Sequence, residues 1–223
     1  MLTKEHNQKQ RSITLTSGNM YDLAPDCEQL NIRGAVALHQ KVHLQTISTH
    51  GHSSFHSSVV ARVLKNTGSC TLKDYCEIVE LTNAGNLKLR SGQVSTMNSS
   101  GKLTIEQSLH AQQFHAVGIV KAQEIHAVHF FLNLSGVSEI ERLVAEDITI
   151  EKDKLSLSIL RKKLNCHSII GKNLCLSHTK AQVVEGAVVE VGPNCTIQTL
   201  YYTESYSISP NANVQHIIQR QPQ

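Results

Sequence analysis

The chain has 223 residues, enough for one elongated domain with tails, and its formal net charge is only +3 with 17% charged residues. Nucleic-acid-binding domains usually collect lysine and arginine on one face, and no such stripe is present, so a nucleic-acid partner is not predicted. Tryptophan is absent and aromatic residues make up 4%, a scarcity that suits a narrow core. No apolar run approaches the roughly 18 residues that a membrane-spanning helix needs.

The six cysteines form no CxxC pair, and no signal peptide opens the sequence. These two features predict a reduced, cytoplasmic protein. Cys70 and Cys76 occupy positions that we expect to face a core, where a free thiol behaves as a small hydrophobic group.

The N-terminal residues 1–26 are polar and carry no repeat. We predict a mostly disordered tail, with a short strand at Ser12–Thr16 that caps the domain beginning at residue 27.

Glycine then recurs at intervals of 17, 17, 17, 16, 17 and 18 residues, at Gly34, Gly51, Gly68, Gly85, Gly101, Gly118 and Gly136. A fixed period indicates a repeat architecture, and a unit of about 17 residues is too short for a helical hairpin. It is typical of one coil of a β-solenoid.

Apolar residues stand at fixed offsets from these glycines, in pairs two residues apart, which is the period of a strand with one buried face. The position four before each glycine holds Leu30, Ile47, Leu64, Leu81, Met97, Phe114 and Leu132. Further apolar positions follow two, four and eight residues after the glycine. The spacing predicts three short strands per coil and a packed triangular core. We expect the glycine at a corner, where its backbone freedom is useful, and a polar second corner, as at Gln40, Ser57 and Asp74.

The fold expected is therefore an all-β, three-sided parallel β-helix with flexible termini. Seven coils cover residues 27–146, an irregular excursion covers 147–170, and closing coils cover 171–205 before a polar tail at 206–223. Within the excursion, Lys154–Asn165 is predicted to be a short amphipathic helix or a loop. Nine coils would make a rod about 40 Å long.

Histidine is the main candidate for site chemistry, because His39 and His56 should stack on adjacent coils within reach of one metal ion. Their column continues with Lys73, Arg90 and Glu106, so we interpret it as a solvated outer face and predict no metal, no cofactor and no catalytic residue. The mixed charge also argues against a polysaccharide-cleaving enzyme, which needs grouped carboxylates. An acyltransferase-like β-helix would keep strict 18-residue coils, and most coils here have 17.

The basic run Arg161–Lys163, with leucines at 157, 160 and 164, could contact an anionic membrane surface. We favour a charged surface loop whose leucines pack on the rod.

The glycine-cornered coils, the segment His178–Gly186 (HTKAQVVEG) and the segment Val191–Ile197 (VGPNCTI) with Tyr202 and Thr203 resemble the bactofilins, polymer-forming cytoskeletal proteins of bacteria, in their longer Gram-positive type. The resemblance covers roughly residues 27–205. It implies a right-handed β-helix that polymerises end to end without nucleotide and serves cell shape, envelope, or flagellar and other appendage assembly. The chain departs from the family pattern in its length, in residues 147–170 and in lacking an N-terminal apolar segment.

A solenoid leaves unpaired strand edges at both ends, which must be capped or paired with another copy. We therefore predict a non-enzymatic protein whose first partner is itself, with other envelope or cytoskeletal proteins as further candidates. The predicted self-assembly residues are Leu30, Ile32, Val36 and Leu38 on the first coil and Val189, Val191, Cys195 and Ile197 on the last. The alternatives are a capped β-helix that acts as a binding platform and, third, an acyltransferase-like enzyme.

Overall fold

A computed structural model describes residues 11–153 and 162–221, and this part of the chain is all β, with thirteen strands and no helix. The strands are β1 (Arg11–Met20), β2 (Cys27–Leu38), β3 (Val42–Thr49), β4 (His52–Phe55), β5 (Val59–Asn66), β6 (Ser69–Asn83), β7 (Asn86–Ser99), β8 (Lys102–Leu134), β9 (Val137–Lys152), β10 (Lys163–Leu176), β11 (Thr179–Val191), β12 (Thr196–Ile208) and β13 (Asn213–Gln219).

Each strand pairs in parallel with the strand about one coil away, and the order along the sheet follows the order in sequence, with β4 between β2 and β6. This is the topology of a β-solenoid, which confirms the predicted fold; right-handed winding stays a prediction. One core ladder runs through Ile13, Leu30, Ile47, Leu64, Leu81, Met97, Phe114, Phe130, Ile148, Leu174, Val189 and Tyr206. The described residues therefore make twelve coils rather than nine, and the rod is about 53 Å long between its first and last coils.

The core lies along the solenoid axis, and each coil contributes three pairs of inward side chains. In the coil that contains Gly68, Leu64 and Asn66 form one pair, Cys70 and Leu72 the next, and Cys76 and Ile78 the third, all at most 2% exposed. The predicted inward positions of Cys70 and Cys76 are thus confirmed. Three faces per coil follow from this pattern.

The glycines form a column, but the reason for glycine differs from the prediction. A Cβ atom on Gly68 would collide with the carbonyl oxygen of Gly51 on the preceding coil, and Gly51, Gly85 and Gly101 meet their neighbours in the same way. None of these four has a positive φ. Close approach of stacked backbones, rather than an unusual backbone conformation, therefore requires glycine here.

The register slips at the seventh coil. Phe114 stacks on Phe130, 16 residues later, with ring centroids 4.8 Å apart, whereas Gly118 and Gly136 are 18 residues apart. Phe130 therefore continues the ladder that the glycine spacing assigned to Leu132. Because burial alternates with a period of two, a slip of two residues keeps both side chains in the core.

The solenoid extends beyond the predicted boundaries at both ends. β1 pairs along its length with β2, so residues 11–20 form a coil and not a disordered tail. At the other end, β12 continues to Ile208 and β13 pairs with β12, so most of the predicted C-terminal tail is strand. Residues 1–10 and 222–223 lie outside the described part.

The predicted excursion is confined to a shorter stretch. β9 continues to Lys152, β10 resumes at Lys163, and their partners are 26 residues apart instead of 17. Most of the helix or loop predicted at Lys154–Asn165 lies outside the described residues, and its last three residues belong to β10.

Candidate self-association surfaces

The eight predicted end residues do not lie at the ends. At the N-terminal side, Leu30, Ile32, Val36 and Leu38 are at most 5% exposed, because β1 covers them. A short capping strand was expected at Ser12–Thr16, but the strand is twice that length and forms a full layer over two faces.

The predicted C-terminal residues are buried for the same reason. Val189, Val191, Cys195 and Ile197 are at most 2% exposed, since β12 covers the first two and β13 follows over Ile197. Neither group of four can contact another copy unless an outer strand is displaced.

The N-terminal end surface consists of the residues one coil outside the predicted set. Ile13 pairs with Leu30, Leu15 with Ile32, Gly18 with Val36 and Met20 with Leu38. Ile13, Leu15 and Met20 are only half-buried and pack against the core from one side. The predicted ladders were therefore correct, but they end one coil further out.

The C-terminal end surface follows the same rule. Tyr206, Ile208 and Val214 lie in the ladders of Val189, Val191 and Ile197, in each case 17 residues later. Tyr206 is 43% exposed, and Ile217, above the buried Leu200, is 41% exposed. This surface could have been located from the sequence by adding one 17-residue interval to each predicted residue.

The two terminal strands are held to the rod differently. β1 has two register irregularities, a left-handed Gly18 with φ 106°, and an ion pair between Arg11 and Asp26 that lowers the pKa of the Asp26 carboxyl. β13 pairs regularly with β12, and Arg220 just beyond it fixes its end. The Arg220 guanidinium donates to Glu185 Oε1 at 2.6 Å and lies 3.8 Å from the ring centre of Tyr201.

The histidine column is stacked and solvated, as predicted. The rings of His39 and His56 are 4.3 Å apart between centroids, with Tyr21 stacked on His39 at 4.8 Å. Lys73 Nζ lies 3.3 Å from His56 Nε2. Partial loss of water lowers the pKa of His56, and the charges of Lys73 and His39 lower it further. Within the described ranges, no group of three or more His, Cys, Asp or Glu side chains could hold a metal ion.

The basic run does not present a continuous charged surface. Lys162 is 6% exposed, and its ammonium donates to the Asp153 carbonyl oxygen at 2.7 Å. Leu164 is fully buried in β10 and belongs to the core rather than to an amphipathic stripe. Arg161, Leu157 and Leu160 lie outside the described residues.

The surface also carries a polar cleft of about 530 Å³ across β9, β10 and β11. Its carboxylates are engaged by bases rather than paired with each other: Glu139 is 2.7 Å from Lys121 Nζ, and Glu141 is 3.9 Å from His167 Nδ1.

All six cysteines are free thiols, and Cys175 alone is exposed. Burial raises the pKa of Cys70 and Cys195 to about 11 and of Cys76 and Cys166 to about 12. These four thiols are protonated at neutral pH and poor nucleophiles.

In the described ranges, no helix is long and apolar enough to cross a membrane.

Comparisons with known proteins give one partial similarity. The chain is 36% identical over 70 residues to the uncharacterized protein YhbE of Bacillus subtilis (strain 168), a match that covers 30% of this chain and 30% of that protein. The chain thus matches about a third of the length of this relative. No family model matches, and no solved structure matches.

Proposed function

We propose that this protein is a non-enzymatic cytoskeletal scaffold that associates end to end into polymers without nucleotide, as the bactofilins it resembles do. The observation that carries the proposal is that the apolar core ladders continue to both ends of the solenoid. Within the described residues they finish in half-buried Ile13, Leu15 and Met20 at one end and in exposed Tyr206 and Ile217 at the other.

Two physical terms would drive the association. Among the described residues, β1 pairs only with β2 and β13 only with β12, so each terminal strand has an edge of free N–H and C=O groups that another strand can satisfy. Burial of apolar side chains at the ends adds roughly 25 cal/mol per Å² removed from water. Neither term needs a nucleotide.

The proposed cellular setting follows from the resemblance and not from the geometry. A rigid rod that extends by stacking supplies a scaffold for cell shape, for the envelope, or for flagellar and other appendage assembly, in the cytoplasm. Free, buried thiols agree with a reducing compartment. Other envelope or cytoskeletal proteins would bind along the polar outer faces.

One observation favours the alternative of a capped binding platform. The irregular pairing of β1 and its Gly18 twist are devices that natural proteins use to protect an edge from association. If they suffice, the rod stays a monomer or a closed dimer and only its sides are functional. An acyltransferase-like activity has no comparable support.

Electron microscopy of the purified protein without nucleotide tests the proposal. We expect filaments or sheets whose amount rises with protein concentration. Small particles of uniform size at high concentration would favour the platform instead, and turnover of an acyl donor would favour the enzyme.

A further inference from the structure

Acidic residues are absent from one section of the rod. Residues 29–73 include five Lys or Arg and five His, but no Asp or Glu. Since the whole chain has 21 basic and 18 acidic residues, the rest of it is slightly acidic. This segment builds most of the second, third and fourth coils, and none of the ion pairs among the described residues includes one of its five Lys or Arg. These coils therefore form a cationic section of the rod.

The cations are aligned along one corner of the rod, which we call the cationic corner. Four side chains occupy the same position on successive coils: His39, His56, Lys73 and Arg90. The corner is about 14 Å long at 4.8 Å per coil, which is the length of about four residues of an extended peptide. The neighbouring carboxylate of Asp74 accepts a hydrogen bond from the backbone N–H of Tyr75 at 2.8 Å. No ion pair among the described residues neutralises Lys73 or Arg90.

A depression of about 330 Å³ lies beside the cationic corner, on the face formed by β1, β2, β4 and β6. Its floor includes Val36 and Ser53, which are at most 5% exposed, and the short side chains of Ala35 and Ala37 leave the floor open. Gly18 adds to the space, since a Cβ atom there would meet no other atom within 4 Å. This volume is at the low end of ligand pockets, so the depression admits one apolar side chain of a partner.

Hydrogen bonds connect the depression to the cationic corner. Ser54 lines the depression, and its Oγ atom is 3.3 Å from His56 Nε2. Lys73 Nζ is 3.3 Å from the same nitrogen, which must be the acceptor because an ammonium group can only donate. An ammonium group has three donors, so Lys73 can bind His56 and a carboxylate of a ligand together. The apolar floor and the nearest cation are thus parts of one continuous surface.

From these features we infer that the depression and the cationic corner form a docking site for an acidic, extended segment of a partner protein that carries one apolar side chain. The apolar side chain fills the depression, and the carboxylates follow the corner. A buried apolar anchor supplies affinity, while the charges orient the segment and select against basic ones. The inference rests on the proposed function only in that a scaffold takes protein partners, and the docking does not require the rods to assemble.

The side chains of the corner favour carboxylates over phosphates. Phosphate recognition is best served by the planar fork of arginine, and Arg90 alone supplies one here, one coil beyond the depression. A second copy of the chain is a poor occupant. Its Glu139-Ile140-Glu141 has the required pattern, but Ile140 is 2% exposed in the core and cannot enter a depression.

Fluorescence anisotropy with labelled synthetic peptides tests the docking site on the full chain. The probe is Glu-Glu-Phe-Glu-Glu (the Phe peptide), and the comparison peptides replace Phe by Ser (the Ser peptide) or every Glu by Lys (the Lys peptide). At about 50 mM salt, where exposed charges are weakly screened, the Phe peptide should bind about tenfold more tightly than the Lys peptide. It should also bind more tightly than the Ser peptide, and its affinity should fall as salt is added.

Two substitutions separate the two parts of the site. Lys73→Glu should weaken the binding of both acidic peptides by about tenfold, because a like charge then faces the carboxylates. Ala37→Leu fills the depression, so it should lower the affinity for the Phe peptide to that for the Ser peptide and leave the Ser peptide unaffected. Lys102→Glu is the matched control, because Lys102 is exposed on the same face two coils beyond the depression, and this variant should bind normally.

Equal effects of Lys73→Glu and Lys102→Glu, or equal binding of the acidic and basic peptides, would overturn the docking site. Tighter binding of polyphosphate, or of vesicles that contain phosphatidylserine, than of the Phe peptide would also overturn it, in favour of a phosphate ligand or a membrane surface. Sedimentation of the unmodified protein, run in parallel, keeps the two proposals apart. Single rods that bind the Phe peptide would support this inference and contradict the polymer, whereas polymers that bind no peptide would do the reverse.

Discussion

Asn66 donates a hydrogen bond from Nδ2 to Oδ1 of Asn83 on the next coil, at 2.7 Å, and both side chains are at most 1% exposed. Thr49 donates to Asn66 Oδ1 at 2.7 Å, and Asn83 donates to Ser99 Oγ at 2.9 Å, so four coils share one polar ladder inside an apolar rod. The same amides also bond the backbone of the glycine corner, where Gly68 N donates to Asn66 Oδ1 at 3.1 Å. A buried polar group without a partner is costly, so the ladder fixes the register of these coils.

Asn66→Ala should therefore destabilise the fold although it removes only a small polar side chain. It leaves the Thr49 hydroxyl and the Gly68 amide without their acceptor, which costs about 1–3 kcal/mol for each buried group. Chemical denaturation measures the change in unfolding free energy. The control is Asn98→Ala, because Asn98 is an exposed asparagine next to Ser99 in sequence. We expect it to cost about 0.5 kcal/mol or less. Equal effects at the two positions would refute the ladder.

Gly68→Ala should destabilise through the backbone. The added Cβ would meet the carbonyl oxygen of Gly51, which cannot move without displacing a coil, so we expect a cost of about 1–3 kcal/mol. Gly136→Ala is the control, because its Cβ would meet only the side chain of Ile119, with Cδ1 at 2.9 Å and Cγ1 at 3.1 Å, and that side chain can rotate. Melting temperatures check this, because Gly68→Ala should lower the melting temperature more than Gly136→Ala does.

Leu81→Ala should cost about 2–5 kcal/mol, because Leu81 is fully buried between Leu64 and Met97. Ser91, at a corner, should tolerate substitution with a change of about 0.5 kcal/mol or less. Denaturant midpoints of the two variants give the comparison. Similar losses would contradict the register of the coil.

Acidification should weaken the His39–His56 stack. The folded-state pKa of His56 lies below its unfolded value of about 6.5. The contribution of neutral His56 to the stability of the fold is therefore fully present above about pH 6.5. It is lost as the pH falls through the lowered pKa of the folded state. Lys73→Gln removes the nearest positive charge and should raise the pKa of His56 in an NMR titration of its ring. An unchanged or lower pKa in this variant would show that Lys73 does not act on the ring.

Ile217→Asp should weaken self-association while leaving the fold intact, because Ile217 is 41% exposed at the C-terminal end. Loss of a buried isoleucine side chain corresponds to about 1.5–3 kcal/mol, or roughly tenfold or more in the concentration needed for assembly. Val60→Asp is the matched control, because Val60 is 36% exposed but lies on the side of the rod, and this variant should assemble normally. Sedimentation at several concentrations measures both, and equal behaviour would place the contact elsewhere than at the ends.

The sequence predicted the interior of the rod well because apolar spacing reports burial directly. The inward residues around Leu64 and Leu81 could be assigned without a structure. The polar ladder was missed although Thr49, Asn66, Asn83 and Ser99 keep the same spacing, because buried amides look like surface residues in a hydrophobicity pattern.

The ends were placed one coil too far inside for a related reason. β1 and β13 have mostly exposed side chains, so their sequences carry little hydrophobic signal and resemble tails. Ile13 and Tyr206 nevertheless keep the 17-residue interval to Leu30 and Val189. The register slip at Phe130 was not predictable, since a two-residue shift leaves the alternation of buried and exposed positions unchanged.

The spacing of subunits along a filament, measured by cryo-electron microscopy, tests the central claim most directly. End-to-end stacks of a twelve-coil solenoid should show a repeat at about 4.8 Å from the coils and a longer repeat at about 58 Å, or at twice that length when alternate copies are reversed. Dispersed single rods at high concentration, with no filament, would contradict end-to-end assembly itself.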